Sequence, residues 1–200
     1  MAFLAGCTSP TGGQATPAPA VTPDTSSEST TPSDEPDSDE LPTDGAPKVN
    51  DPLETTKFQE NPCLTLTSDQ SEGIFGISPS GQGYTDTLGN GCKWKNEESR
   101  AQADVVFLDK NPRGLSAEYA VNEDGRWVLF EELTVAGYPA VIRGQVDRRP
   151  DGICTVVVGA SDELSYEVVV QQSSDRVGTT DPCVVAADVA GETVKTIKAG

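Results

Sequence analysis

Five cysteines carry most of the chemistry that this 200-residue chain can offer. Cys7 ends the run Leu4-Ala5-Gly6-Cys7, the lipobox pattern of an apolar residue, two small residues and a cysteine. Small side chains there let a signal peptidase close around the backbone, and the thiol then takes a diacylglycerol thioether. The other four, Cys63, Cys92, Cys154 and Cys183, form an even set, which in an exported domain implies two disulfides. Three pairings are formally open. Cys63 and Cys92 are as far apart as Cys154 and Cys183. That symmetry favours these two pairs, each closing a loop worth roughly 3 kcal/mol. A four-cysteine zinc site needs closely spaced ligand pairs. None is present, so no metal and no cofactor is expected.

The remaining reactive side chains point away from catalysis. The chain has no histidine, which removes Ser-His-Asp and Cys-His nucleophiles and the usual neutral-pH base. Ser78 lies in Gly76-Ile77-Ser78-Pro79-Ser80-Gly81, which is not a nucleophile elbow. Gly81-Gln82-Gly83-Tyr84-Thr85-Asp86 lacks the third glycine of a dinucleotide fingerprint. Paired carboxylates are the one enzymatic route left, because glycosidases need only two. Glu131 and Glu132 are neighbours in a strand pattern and so point to opposite faces. Glu97-Glu98 and Glu123-Asp124 read as solvated charges. The expectation is a protein that is not an enzyme. Trp94, Trp127, Phe107 and Tyr166 occupy strand positions and are assigned to a core rather than to sugar stacking.

Charge and hydropathy narrow the partners. Lys and Arg number 14 against 32 Asp and Glu, for a net charge of −18. Such a chain repels nucleic acid. No apolar run approaches the ~18 residues that a spanning helix needs, so membrane attachment would rest on fatty acids such as palmitate carried at Cys7. One acyl chain is marginal for that purpose and two suffice. Only Met1-Ala2-Phe3 precede the lipobox, and residues 1–7 therefore read as a truncated signal peptide.

Residues 8–56 are built almost entirely from Thr, Pro, Ser, Ala, Gly, Asp and Glu, with Val21, Leu41, Val49 and Leu53 as the sizeable apolar exceptions. A segment of that composition cannot bury enough apolar surface to offset its ordering entropy. It is expected to be a disordered Ser/Thr/Pro and acidic tether, stiffened by its prolines.

Residues 57–200 read as a globular domain of ordinary size. Thr67-Ser68-Asp69-Gln70 has the form of a capping box, with a helix running to Phe75 and Gly76 as its stop. Asn61-Pro62 and Asp181-Pro182 each place an N-cap residue before proline, the favoured first helical position. After the second, Cys183, Ala186, Ala187, Ala190, Val194 and Ile197 recur at helical spacing. Between lie strand patterns: Cys92 to Lys95, Ala103 to Leu108, Trp127 to Val135, Tyr138 to Arg143, Ile153 to Val158 and Leu164 to Gln171. In the last of these Leu164, Tyr166, Val168 and Val170 share one face while Ser165 and Glu167 face the other way. Leu115 to Ala120 suits one or two helical turns. The expected fold is α+β: an antiparallel sheet covered by helices on one face, with two disulfides and a disordered N-terminal tether.

Taken in order, Asn61-Pro62-Cys63, Thr67, Gly91-Cys92-Lys93-Trp94, Ala136-Gly137-Tyr138-Pro139-Ala140, Cys154 and Asp181-Pro182-Cys183 carry a likeness. They resemble a domain-of-unknown-function family of actinobacterial lipoproteins, defined by a four-cysteine framework behind a lipobox and a Ser/Thr/Pro tail. The resemblance covers roughly residues 59–199, with Asn61 standing where the family commonly has Asp. It implies a lipid-anchored domain on the extracytoplasmic face of the cell membrane. It brings no catalytic residues.

The functional expectation is a non-catalytic binding or interaction module at the cell envelope, with another envelope protein or a cell-wall component as partner. Its oligomeric state is left open. The glycine-rich stretch 76–91 is the candidate recognition loop, with Gly81, Gly83 and Tyr84 at its centre and Cys92 fixing its closing end. The alternative is a carrier of small apolar molecules or lipids, which requires a roomy cavity between sheet and helices. A carboxylate-dependent hydrolase ranks third.

Overall fold

Apolar side chains at every second position make one sheet face hydrophobic, and the long C-terminal helix is built to cover it. The computed structural model describes residues 40–200; Cys7 and residues 8–39 of the expected tether lie outside them. Seven strands form one sheet: β1 (Gln82–Thr85), β2 (Asn90–Lys95), β3 (Gln102–Phe107), β4 (Leu129–Val135), β5 (Tyr138–Gly144), β6 (Ile153–Gly159) and β7 (Ser165–Gln171). They lie in the order β1-β2-β3-β7-β6-β5-β4, and every neighbouring pair is antiparallel. The register sets Val105 of β3 and Val156 of β6 on either side of Val168 of β7. Tyr166, Val168 and Val170 therefore share a face with Ala103, Val105, Phe107, Cys154, Val156 and Val158.

Among the described residues four α-helices accompany the sheet: α1 (Thr56–Glu60), α2 (Ser68–Phe75), α3 (Ser116–Glu123) and α4 (Pro182–Ala199). Helix α4 begins as its sequence dictates. Asp181 accepts a hydrogen bond from the Cys183 amide at 2.8 Å, and Pro182 takes the first turn. Its buried stripe of Cys183, Ala186, Val189, Ala190, Val194 and Ile197 lies on the apolar face of the sheet. The buried Tyr166 hydroxyl donates to the Ala190 carbonyl at 2.9 Å, so the largest side chain at the interface leaves no polar group unpaired. Both disulfides join as the spacing suggested, Cys63 to Cys92 and Cys154 to Cys183. The second ties β6 to the first turn of α4; the first ties β2 to a 3-10 turn, Pro62–Thr65. That turn departs from expectation in one respect: Asn61 makes no side-chain cap.

The opposite sheet face is not bare. Leu115 and Tyr119, with Ala46, pack on Val141 and Val157 in a second, smaller cluster.

The folded part starts earlier than residue 57, where the tether was expected to end. Ala46, Val49 and Leu53 are buried, and their backbone is tied down as they pass. The Val49 amide donates to Asp162 Oδ1 at 2.8 Å. The Leu53 amide donates to the Ala160 carbonyl at 2.9 Å, and Thr43 is bound to Ser116 Oγ. Residues 43–55 form a strap across the β6–β7 turn. Average composition misleads here because a strap needs only a few apolar anchors when the body of the domain supplies the rest of each contact. Leu53→Ala should cost about 2 kcal/mol, the low end of the core range because the site lies at the margin. A chain beginning at residue 57 should lose more than that single variant. Urea unfolding of the two variants beside the full chain measures both.

Candidate functional site

Of the residues expected at the centre of a recognition loop, Gly83 and Tyr84 are in an edge strand instead and Gly81 leads into it. Gly83 and Tyr84 belong to β1, which pairs with β2, and Gly81 immediately precedes it. A Cβ on Gly81 would lie 2.6 Å from Cys92 Sγ and 2.9 Å from Trp94 Nε1. The glycine there permits the chain to pass against the first disulfide. Within the glycine-rich stretch, residues 82–85 and 90–91 are therefore strand while 76–81 and 86–89 remain connecting segments, and the glycines at 81 and 91 reflect close packing. Tyr84 turns onto the second sheet face, where its hydroxyl donates to Asp104 at 3.4 Å and Lys93 stands over its ring. Burial, followed by the negative charge of Asp104, raises the Tyr84 phenol above its ordinary range. Trp94, Phe107 and Tyr166 are core residues, whereas Trp127, expected with them at a strand position, precedes β4 and is half-buried.

Further along this face lies an ion cluster that the sequence did not disclose. Arg143 of β5 reaches Glu118 of α3 at 3.0 Å and Glu167 of β7, and its guanidinium stacks on Trp127 with 4.7 Å to the ring centroid. Trp127 in turn donates its indole N–H to the Glu118 carbonyl. Burial holds both carboxyls above their usual value; Arg143 opposes that shift, and for Glu167 the charges of Asp86 and Asp104 add to it. Two carboxylates do converge here, but on separate nitrogens of one guanidinium. The arginine lies between the two carboxylates, so the arrangement is an ion cluster rather than a pair of carboxylates facing a substrate. Glu131 and Glu132 point apart as expected, one to Arg149 and the other to the Tyr119 hydroxyl.

An opening that could receive a partner lies on the α4 side. A groove of about 800 Å³ runs between α2, α4 and the end of β4. Helix α2 is set at its rim by the expected capping box, with Thr67 accepting from the Gln70 amide and Gln70 returning to the Thr67 amide. Gln70 also bonds Glu192 and Thr196 of α4, which fixes the width at that end. The floor is apolar: Gly73, Ile74, Val135, Ala187 and Gly191.

The two glycines stand out. Each lies inside a helix, where glycine costs about 0.5–1 kcal/mol relative to alanine. A Cβ on Gly73 would meet nothing within 4 Å, and on Gly191 only a Val135 methyl at 3.9 Å. Packing requires neither. What they do is keep the groove open to the helix backbones. Asp69 and Asp188 border it without an ion-pair partner among the described residues, while Glu192 is held by Lys195. Glycine inside two otherwise regular helical patterns was the signal in the sequence that could have located this surface.

Two stability measurements follow. Gly73→Ala and Gly191→Ala should each raise stability by about 0.5–1 kcal/mol in urea unfolding. For the ion cluster, Arg143→Met leaves two buried carboxylates unpaired and should cost about 3–5 kcal/mol at neutral pH. Because both folded-state carboxyl values lie above the ordinary 4.5, stability tied to them is full below that value and lost as pH rises through the higher ones. The Arg143→Met deficit should therefore shrink on acidification, and Glu167→Gln should flatten the pH dependence of the parent protein.

Residues 2–196 match the model of a family described as "Protein of unknown function (DUF3558)". No curated protein and no solved structure matches the chain.

Proposed function

The chain belongs to the DUF3558 family, and from that premise we propose that it is a lipid-anchored lipoprotein of the cell envelope. In this reading its folded domain is a non-catalytic binding module that takes a partner in the groove between α2, α4 and β4. The observation that carries the binding role is the pair of helix-interior glycines, Gly73 and Gly191, which packing does not require and which both face the same open cleft. A fold that gives up helix stability at two positions on one surface keeps that surface for another molecule. The extracytoplasmic setting is supported by two closed disulfides and by the lipobox cysteine, Cys7, ahead of a proline-rich acidic tether. Stable disulfides belong to oxidising compartments. The four-cysteine framework is the part of the likeness to actinobacterial lipoproteins that bears on this. A tether on a lipid anchor confines the domain near the membrane and raises its effective concentration there.

The test is cross-linking in intact cells with parent protein, Cys7→Ser and Gly191→Leu variants. Labelled palmitate should enter the parent protein and not Cys7→Ser, which should leave the membrane fraction. Gly191→Leu should remain anchored and folded but lose the cross-linked partner. A parent protein that takes up no lipid overturns the anchor, and an unchanged cross-linking pattern in Gly191→Leu overturns the groove.

A further inference from the structure

We infer that the occupant of the groove is an extended, cationic segment of a partner protein, added as a strand to the free edge of β4 with its end lying over Gly73 and Gly191. The inference rests on the groove being the interaction surface and adds the chemistry of what enters it.

The first observation is the topology. Among the described residues strand β4 ends the sheet and pairs with β5 alone, so one side of its backbone carries no described strand. Glu131, Glu132 and Thr134 along it are exposed. An open strand edge is a template for main-chain hydrogen bonding to an extended peptide. The groove begins where that edge finishes, at Thr134 and Val135. A segment paired with β4 would run directly into it. Its side chains on the α4 side would pass Leu133 and Val135, which turn towards the apolar core, and then meet the glycine floor. The two glycines leave that floor open, so the segment can lie directly against the helix backbones.

The second observation is charge. Each face beside the β4 edge has a carboxylate, Glu131 on one and Glu132 on the other. Asp69 and Asp188 border the groove without ion-pair partners among the described residues. The chain as a whole carries −18. Glu131 is already paired with Arg149 and Lys195 lines the groove beside Glu192, so lysine or arginine in the added segment would answer Glu132, Asp69 and Asp188, and the long-range field would speed its approach. The same charges argue against a second copy of this chain as occupant. Antiparallel pairing of β4 with itself about its midpoint would set Glu132 directly against its own counterpart, and like charges directly opposite across a sheet are destabilising.

The experiment uses the full chain and a short labelled synthetic peptide alternating lysine with valine or alanine, beside its glutamate counterpart. Binding is read by fluorescence anisotropy at low and high salt. The lysine peptide should bind roughly tenfold or more tighter than the glutamate peptide, and weaken as salt rises. Asp69→Asn with Asp188→Asn should weaken it several-fold, and Gly191→Leu or Gly73→Leu should abolish it. Hydrogen exchange should show new protection of β4 amides when the lysine peptide is bound. Circular dichroism melts check that each variant is folded, and the two glycine sites provide independent variants. Equal affinity for the two peptides, or no β4 protection, overturns the inference. If Gly191→Leu still removes the cellular cross-link while the lysine peptide fails to bind, the groove survives as the interaction surface and the cationic strand does not. If both fail, the interaction reading falls with it.

Discussion

Strand β7 divides the molecule into an apolar side and a charged side. Tyr166, Val168 and Val170 face α4, while Ser165 and Glu167 face α3. A slip of one residue in its pairing would exchange the two sets, bringing a buried glutamate under α4 and a tyrosine into the ion cluster. Hydrophobic burial and charge pairing therefore enforce the same register from opposite sides. The Cys154–Cys183 bond adds a covalent restraint at one end of that interface, and the Tyr166 hydroxyl on Ala190 adds a polar one further along α4. Everything that shapes the groove depends on α4 being held there.

The second sheet face solves a different problem. A buried charge must be paired or it forces a change of protonation. Arg143 serves two carboxylates at once, so the cluster keeps one excess negative charge in a poorly solvated place. Such clusters rarely add net stability over an apolar alternative. What this one does is link three elements, because Glu118 belongs to α3, Arg143 to β5 and Glu167 to β7. Helix α3 also takes the strap that leads into the fold, through Ser116 on Thr43 and through the packing of Ala46 beside Leu115 and Tyr119. The position of the strap is thus coupled to a polar cluster on the face away from the groove.

Local rules made much of this legible in the sequence. The capping box at Thr67, the Asp181-Pro182 start of α4 and the alternation in β7 depend on neighbours within a few residues, and they appear as read. The disulfide pairs followed from equal spacing. What escaped notice was long-range. Arg143 meets Glu118 and Glu167 only after the sheet has formed, and nothing near them in the chain announces it. Strand β1 spans four residues, one of them Gly83, too few to show alternation against a glycine-rich background. Average composition hides the strap, because Val49 and Leu53 are isolated apolar exceptions in a polar stretch. They are among the residues that anchor it.

The glycines of the groove show how a functional surface can hide within a well-formed element. A helix tolerates one glycine at modest cost, so the pattern around Gly73 and Gly191 still reads as helix and the residues pass without remark. Their meaning appears only when the two helices are seen side by side. Had glycine been needed for the helices to approach each other, a Cβ at either site would collide with the neighbouring element. It meets open space or a single methyl at contact distance instead. The cost is therefore borne for something outside the domain's own packing. Asp69 and Asp188 edge the cleft without an ion pair among the described residues, Lys195 is taken up by Glu192, and the cleft ends at a strand edge that no described strand pairs, so main-chain pairing and charges to answer the two aspartates are what the surface lacks.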